Sequence, residues 1–540
     1  MTQSPDPTDS VPYRWGDPAH AVQLKPGMRD TLRQLGADTA AASVEPEQAT
    51  VPDSRLPDDF RRRLVAIVGE RHVDDSHQSR VAHAGGWSTT DLLRLRSGDA
   101  HAAPDLVAYP ASHDEVVQIL QECMRAKVAV VPYSGGTSVV GGLEPSRDGF
   151  AGILTIDLRR LDAVTDVDPV SRTATLQAGL RGPQVEKELQ QHGFTLGHFP
   201  QSYEFASVGG YAAARSAGQA SAGYGRFDEM VVGLVLATPN GTLQLGTAPM
   251  SATGPDLRQL ILGSEGAFGV VTSVAVVIRP IPQRREYDGW AFDDFDTGTR
   301  ALRALAQEGP HVAVVRLSDE AETAVNLSNP SKMLEGGPGG CLAIVGFEGT
   351  HDDVSRQRDQ VEELFTHHGG RPADPEAGPS WERGRFAAPY LRDALLDEGM
   401  LVETLETAGF WSKLPQIRAA VTGALTQELN DDGRHALVLC HISHVYETGA
   451  SLYFTVACAQ SDDPVGQWNA AKEAANKAIR SAGGAISHHH GIGTVHRSIY
   501  HAEIGELGME TLRAVKAVMD PAGVCNPGVL IAPEAADATL

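Results

Sequence analysis

The sequence predicts an α+β protein, and three observations carry that prediction. First, a strand over 106–109, a helix over 113–126 and a strand over 128–131 form a βαβ unit. The helix is introduced by Ser112-x-x-Glu115, the spacing of a capping box. Second, strands follow at 152–157 and 173–178, then a helix over 182–192. Asn240-Gly241 next marks a hairpin between 231–237 and 242–246, and a strand over 270–278 closes the region. Arg279-Pro280 should end that strand, because proline cannot donate to a ladder. Third, a strand–helix–strand pattern occupies 289–292, 297–307 and 312–317. After a Gly- and Pro-rich loop it begins again at 341–348 and 354–367, which suggests a sheet covered on one face by helices. A last helix is expected over 509–519. Four segments result: a polar N-terminal extension with helical fragments such as 59–68 (1–104), a first α+β unit (105–283), a second (284–482) and a His-rich C-terminal segment (483–540).

With 540 residues the chain is too long for one core, and 41% hydrophobic content is ample for burial. A formal charge of −24 argues against nucleic acid as a partner, though not against a local basic pocket for an anion. Met1–Asp6 has neither the basic start nor the apolar core of a signal peptide, and no apolar run reaches membrane-spanning length. The five cysteines are scattered without CxxC spacing, which reads as reduced thiols. A cytoplasmic protein is the expectation.

Chemistry concentrates in glycine-rich loops. Pro132-Tyr133-Ser134-Gly135-Gly136-Thr137-Ser138 follows a strand, so its N–H groups can face phosphate oxygens. A strand rather than a helix comes next, and no Gly-Lys-Ser/Thr is present, which excludes a P-loop and a Rossmann fingerprint. A second stretch runs from Pro200 through Gln201, Ser202, Ser207, Gly209 and Gly210 to Ala214-Arg215-Ser216-Ala217. A third is Glu265-Gly266-Ala267-Phe268-Gly269-Val270-Val271. Each alone also reads as turns. Three of them in one domain are far more specific.

Four further signals lie downstream. His488-His489-His490-Gly491 could be metal ligands, an acid/base array or a polar loop. Consecutive residues do not share a helix face, and an extended segment would put His488 and His490 on one side with His489 opposite. A catalytic or anion-binding cluster is the better reading, with no metal. Tyr446, in Cys440-His441-Ile442-Ser443-His444-Val445-Tyr446, could move a proton if positive charge lowered its pKa; otherwise it is a half-buried aromatic. Arg316 lies in an apolar strand, and Arg392 in Tyr390-Leu391-Arg392-Asp393. Each could be a structural ion pair or a phosphate clamp.

The order of the three glycine-rich loops resembles the cofactor domain of vanillyl-alcohol-oxidase-like FAD proteins over about 105–282. With His488-His489-His490-Gly491, Tyr446-x-x-Gly-Ala and Arg392, the chain resembles the alkyldihydroxyacetonephosphate (alkylglycerone-phosphate) synthase family over about 105–530. The resemblance implies a two-subdomain FAD-binding domain with an α+β cap, and FAD cradled by the loop residues just named. It implies exchange of the acyl chain of acyl-dihydroxyacetone phosphate for a fatty alcohol through an adduct at flavin N5, a step of ether-lipid synthesis. By position Tyr446 would be the acid/base, His488, His489 and His490 would assist proton transfer, Arg392 would grip the phosphate, and Arg316 would lie near the flavin and substrate. A homodimer is implied by resemblance alone, and a lipid substrate would require a hydrophobic tunnel or peripheral membrane contact.

The chain departs from the family pattern at Gln201, where Asp is usual, and at Thr494-Val495-His496-Arg497, where a basic stretch is usual; no peroxisomal address is visible. The rival reading is an FAD-dependent 2-hydroxy-acid dehydrogenase. Its Gly-His-x-Gly-Asp-Gly-Asn-x-His metal segment would need a second histidine where Thr448 stands. A third reading is a flavin-binding protein without chemistry; the joint presence of Tyr446, Arg392 and the histidines argues against it.

Overall fold

A computed structural model describes residues 13–24, 26–34, 36–37, 43–325, 339–431 and 434–532. Most of the Gly- and Pro-rich loop before residue 341 and the two chain ends, with their targeting readings, lie outside these residues. The architecture is α+β and rests on three main sheets.

The first sheet has four strands in the order Val73–Asp74, Leu106–Ala108, Ile153–Asp157, Ala129–Tyr133. Its last three strands are parallel, joined by the helix His113–Ala126. Ser112 caps that helix by accepting from Glu115 N–H, but the Glu115 carboxylate reaches past Ser112 to the N–H of Ala111, so the expected box is only half closed. The second sheet is antiparallel, with five strands: Val164–Asp168, Thr173–Gln177, Val270–Val277, Val231–Thr238 and Gly241–Leu245. Thr238 pairs with Gly241, so the hairpin turn is Pro239-Asn240 rather than Asn240-Gly241, and Gly241 opens the next strand at φ 132°. Arg279–Pro280 is not a simple stop: it pairs antiparallel with Phe194–Thr195.

The third sheet is antiparallel and has seven strands: Arg371–Pro372, Arg284–Phe292, Cys341–Gly349, Val314–Ser318, Leu437–Val445, Gly449–Ala459 and Met400–Phe410. The helices Phe295–Glu308, His351–His367, Leu414–Leu429 and Pro464–Ala482 bury their apolar sides in its core, around Phe347, Phe365, Leu405 and Phe454. The last helix, Arg497–Met519, is longer than expected and is broken at Gly505 (φ 72°), so only its second half showed a clean period.

Phe454 lies on a strand paired on both sides and is fully buried. Phe454→Ala is expected to cost about 3–5 kcal/mol through the cavity it leaves. A lowered urea midpoint followed by tryptophan fluorescence measures it.

Candidate active site

The glycine-rich loops and the third sheet meet at a cavity of about 440 Å³. Of the residues the sequence singled out, Pro132 through Ser138, Gln201, Ser202, Ser207, Gly209, Gly210, Ala214, Ser216, Ala217, Glu265, Gly266, Gly269, Val270 and Val271 line it. The loops interlock through backbone that only glycine allows. A Cβ at position 135 would stand 2.3 Å from the Phe205 carbonyl oxygen, and one at 209 would stand 2.8 Å from Ala178 Cβ. Gly136 (φ 66°) takes the left-handed region beside the Tyr133 hydroxyl.

Three expected cofactor contacts do not face the cavity. Arg215, at φ 52°, sends its guanidinium to the carbonyls of Leu262 and Gln259 at 2.9 and 2.7 Å and fixes the third loop from behind. Ala267 and Phe268 are core residues, each 1% exposed, packed with Tyr211 and Phe227. In so tight a bend alternate side chains must point inward, so the flanking glycines and valines do the lining.

The histidine loop is built around one carboxylate. Glu406, on the strand Met400–Phe410, is buried and accepts from the backbone N–H of His488, His489 and His490 at 2.6, 3.2 and 2.9 Å, and from the Ser487 hydroxyl at 2.7 Å. Wrapping the backbone this way replaces the alternation of an extended strand. His489 and His490 therefore line the cavity together and His488 sits behind them, whereas the expectation paired His488 with His490 and turned His489 away. Burial opposes the Glu406 charge, but the three imidazoles outweigh it and hold the carboxyl well below its usual range. Desolvation pushes His489 and His490 down to about 4, and His488 well down as well, so all three are neutral at pH 7.

Tyr446 also stands behind the cavity. Its hydroxyl is 2.6 Å from His488 Nε2, and His488 Nδ1 is 2.9 Å from His489 Nδ1, so a hydrogen-bonded file runs from phenol to cavity. The condition set for Tyr446, a pKa lowered by positive charge, is not met: burial pushes it up to about 12, and Arg226 only partly offsets this.

Arg316 and Arg392 both line the cavity, but in different electrostatic states. Arg316 is paired with buried Glu322 and lies 3.1 Å from the His441 ring nitrogens, while His441 Nδ1 lies 2.9 Å from Glu322. One tautomer satisfies His441: Nδ1–H donates to Glu322 and Nε2 accepts from Arg316, whose Nε is buried without a partner among the described residues. Burial opposes the Glu322 charge, yet His441 and Arg316 prevail and lower its pKa. Arg392, on the helix Ala388–Asp397, donates to the Trp87 carbonyl at 2.8 Å. Its Nε and Nη2 are buried and have no hydrogen-bond partner among the described residues. Asp393 stands 3.5 Å from Nε, and its other oxygen takes the N–H of Trp15 at 2.5 Å.

The sequence reading missed several residues of this site. Glu403 and Glu406 are acids in a strand whose other residues are apolar or threonine, a signal in plain view. His444 donates from Nε2 to the Gly218 carbonyl at 3.0 Å and ties the second loop to the third sheet. Tyr453 lines the cavity, its ring stacked 4.9 Å from His441. Trp15 reaches the cavity wall from the far N-terminal segment, against Trp87 and Phe205. His444, His488 and His489 bring ring nitrogens within 4.8 Å of one another, close enough for a divalent metal. The hydrogen bonds already named engage nitrogens of all three rings.

Comparison with known proteins gives the site its family. Residues 104–245 match the family model described as FAD binding domain, and 281–530 that described as FAD linked oxidases, C-terminal domain. The alkyldihydroxyacetonephosphate synthase of Dictyostelium discoideum is 32% identical over 89% of this chain and 82% of its own length. The chain belongs to the alkyldihydroxyacetonephosphate synthase family. A solved structure of alkyldihydroxyacetonephosphate synthase superposes with a TM-score of 0.82 at 28% identity, covering 96% of this chain and 99% of the other. p-Cresol methylhydroxylase, at 16% identity, 88% and 96% coverage and a TM-score of 0.67, shares the fold. This member of the synthase family is an FAD-dependent enzyme with the vanillyl-alcohol-oxidase-type fold, and the glycine-walled cavity suits a large planar cofactor with a pyrophosphate. Among the described residues no helix is long and apolar enough to cross a membrane.

Two outcomes are expected. Gly135→Ala should abolish flavin retention, read as loss of the yellow absorbance from purified protein. Acid should destabilise the fold. His489 and His490 titrate at about 4, and His198, His444 and His496 at about 3, against an ordinary 6.5. The unfolded chain binds those protons first, so this contribution is present above pH 6.5 and is lost as pH falls from there towards 4. Melting temperature measured from pH 8 down to pH 5 should therefore drop.

Proposed function

We propose that this chain exchanges the acyl group of acyl-dihydroxyacetone phosphate for a fatty alcohol, as the names of its relatives suggest. The observation that carries this reading is Arg392: a buried guanidinium with two unpartnered N–H groups at a cavity that also holds a neutral imidazole file. Leaving such donors unpaired is costly, so an anion is the expected occupant. Pro132–Ser138, Gln201–Ser207, Ala214–Ala217 and Glu265–Val271 would hold FAD, which when bound supplies the centre that retains the dihydroxyacetone-phosphate carbon between departure of the acid and arrival of the alcohol. Residues 105–283 would then be the cofactor domain, 284–482 the cap and 483–540 the segment carrying the histidine loop.

The residues divide the remaining work. Arg392 grips the phosphate by its planar fork. Trp15, Leu391, Leu395 and Val402 give the cavity an apolar side for a hydrocarbon chain. Replacing a leaving carboxylate by an alcohol leaves one proton to be removed from the entering hydroxyl. His489 faces the cavity as a neutral base: with its Nδ1–H donating to His488 Nδ1 and His488 Nε2–H donating to the Tyr446 oxygen, its other ring nitrogen would take that proton, and the file would carry it as an imidazolium on His489 or His488, steadied by the Tyr446 oxygen. Glu406 fixes the geometry of the whole file. The same reading carries a cytoplasmic homodimer that contacts a membrane surface to collect its lipid substrate.

The rival, oxidation of a 2-hydroxy acid, has one feature in its favour, the closely spaced nitrogens of His444, His488 and His489. Two measurements separate the readings. Acyl-dihydroxyacetone phosphate plus labelled fatty alcohol should give an ether product by mass spectrometry, and anaerobic 2-hydroxy acids should leave the flavin oxidised. Bleaching without ether product would replace this reading by the rival. Tyr446→Phe should keep FAD and lose turnover by at least about 10²-fold, the scale of general acid–base catalysis; full activity would remove Tyr446 from the mechanism.

A further inference from the structure

We propose that Arg385 is a second anion-binding side chain of the cavity, acting with Arg392 on the substrate phosphate. The inference rests on the proposed reading of this cavity as a phosphate-monoester site, and it gives Arg385 a part that the sequence reading gave to Arg316.

A charge inventory of the cavity-lining arginines leads there. Arg316 is neutralised: Glu322 pairs with it and His441 lies against both of its Nη atoms, which leaves only its buried Nε without a partner among the described residues. Arg392 offers two unpartnered N–H groups, but its charge is shared with Asp393 at 3.5 Å. Arg385 lines the same cavity, and among the described residues its side chain makes no hydrogen bond or ion pair. Its guanidinium carbon instead lies 4.9 Å from the ring centre of Phe386, 5.2 Å from Phe199 and 5.9 Å from Trp381. Only its backbone carbonyl is engaged, by the Gln219 side chain at 3.0 Å. An aromatic platform orients a guanidinium without cancelling its charge or consuming its donors. A phosphate monoester carries about −1.5 to −2 at pH 7, more than one half-compensated arginine balances.

Placement agrees with charge. Arg385 (φ −60°, ψ −17°) and Ala387 (φ −82°, ψ −15°) are in the right-handed helical region, so the chain runs nearly continuously from Ala377–Gly384 into Ala388–Asp397. Arg385, Ala388, Leu391, Arg392 and Leu395 all line the cavity, the spacing of one helical face. Arg385 and Arg392 are thus rooted two turns apart, roughly 10 Å along the axis, with long side chains reaching the same space.

The test is calorimetric titration of the FAD-loaded protein with dihydroxyacetone phosphate and, as control, dihydroxyacetone. Arg385→Gln should weaken binding of the phosphorylated probe tenfold or more, leave the control titration as in the parent, and retain flavin. Arg385→Lys, which keeps charge but not the fork, should fall between. If Arg385→Gln misfolds, Arg385→Lys decides, with at least a threefold loss expected. Unchanged affinity for the phosphorylated probe, with or without a lower melting temperature, would reduce Arg385 to an aromatic clip and overturn the inference. Arg392→Gln tells the two readings apart: if it too leaves affinity unchanged, the cavity is not a phosphate site. If both arginines matter but no ether product forms, the anion site stands and the proposed reaction falls.

Discussion

The site depends on one buried carboxylate. Glu406 gathers three consecutive backbone N–H groups and a hydroxyl, and that single interaction bends the histidine segment into a form no regular secondary structure provides. A buried carboxylate is tolerable only when fully hydrogen-bonded, and here the bonds come from the segment it shapes. Lys472, also buried and lowered to about 8 by its surroundings, stands near Glu406 and Glu403 and balances their charge from behind. The imidazoles are left neutral at pH 7.

A second carboxylate joins the two halves. Glu265 holds a left-handed backbone (φ 49°) in the third glycine-rich loop and accepts from the N–H of Ile492 and Gly493, just beyond the histidines. Asn526 secures the Glu265 carbonyl at 2.7 Å. With His444 bonded to the Gly218 carbonyl, these contacts set the distance between the glycine-rich loops and the hydrogen-bonded file of Tyr446, His488 and His489. The cavity therefore belongs to neither half alone, and displacement of one loop would be felt in the other.

Charge is distributed unevenly around the cavity. On the Arg316 side, cations and anions cancel within a buried triad. On the helix Ala388–Asp397 side, two buried guanidinium nitrogens of Arg392 have no hydrogen-bond partner among the described residues, with Asp393 3.5 Å from its Nε. Such an asymmetry is what the proposed substrate would need, with its phosphate at Arg392 and Arg385 and its chain along Trp15, Leu391, Leu395 and Val402.

The sequence by itself determined the local elements and the loop chemistry. The helix His113–Ala126 matched its expected bounds, since an apolar period with a capping serine is short-range information. The glycine-rich loops were legible because close backbone approach demands glycine whatever surrounds it. The histidines, Tyr446 and Arg392 were legible as residue types, but not in their geometry. Tertiary structure decided which imidazoles face the cavity, that burial raises rather than lowers the Tyr446 pKa, and that Arg316 is neutralised while Arg385 is not. Each of these depends on partners many residues away: Glu406 lies about eighty residues before the histidines it shapes, and Trp15 lies 378 residues before the Asp393 it binds. Burial and charge pairing are properties of the assembled neighbourhood, and a linear chain carries no local mark of them.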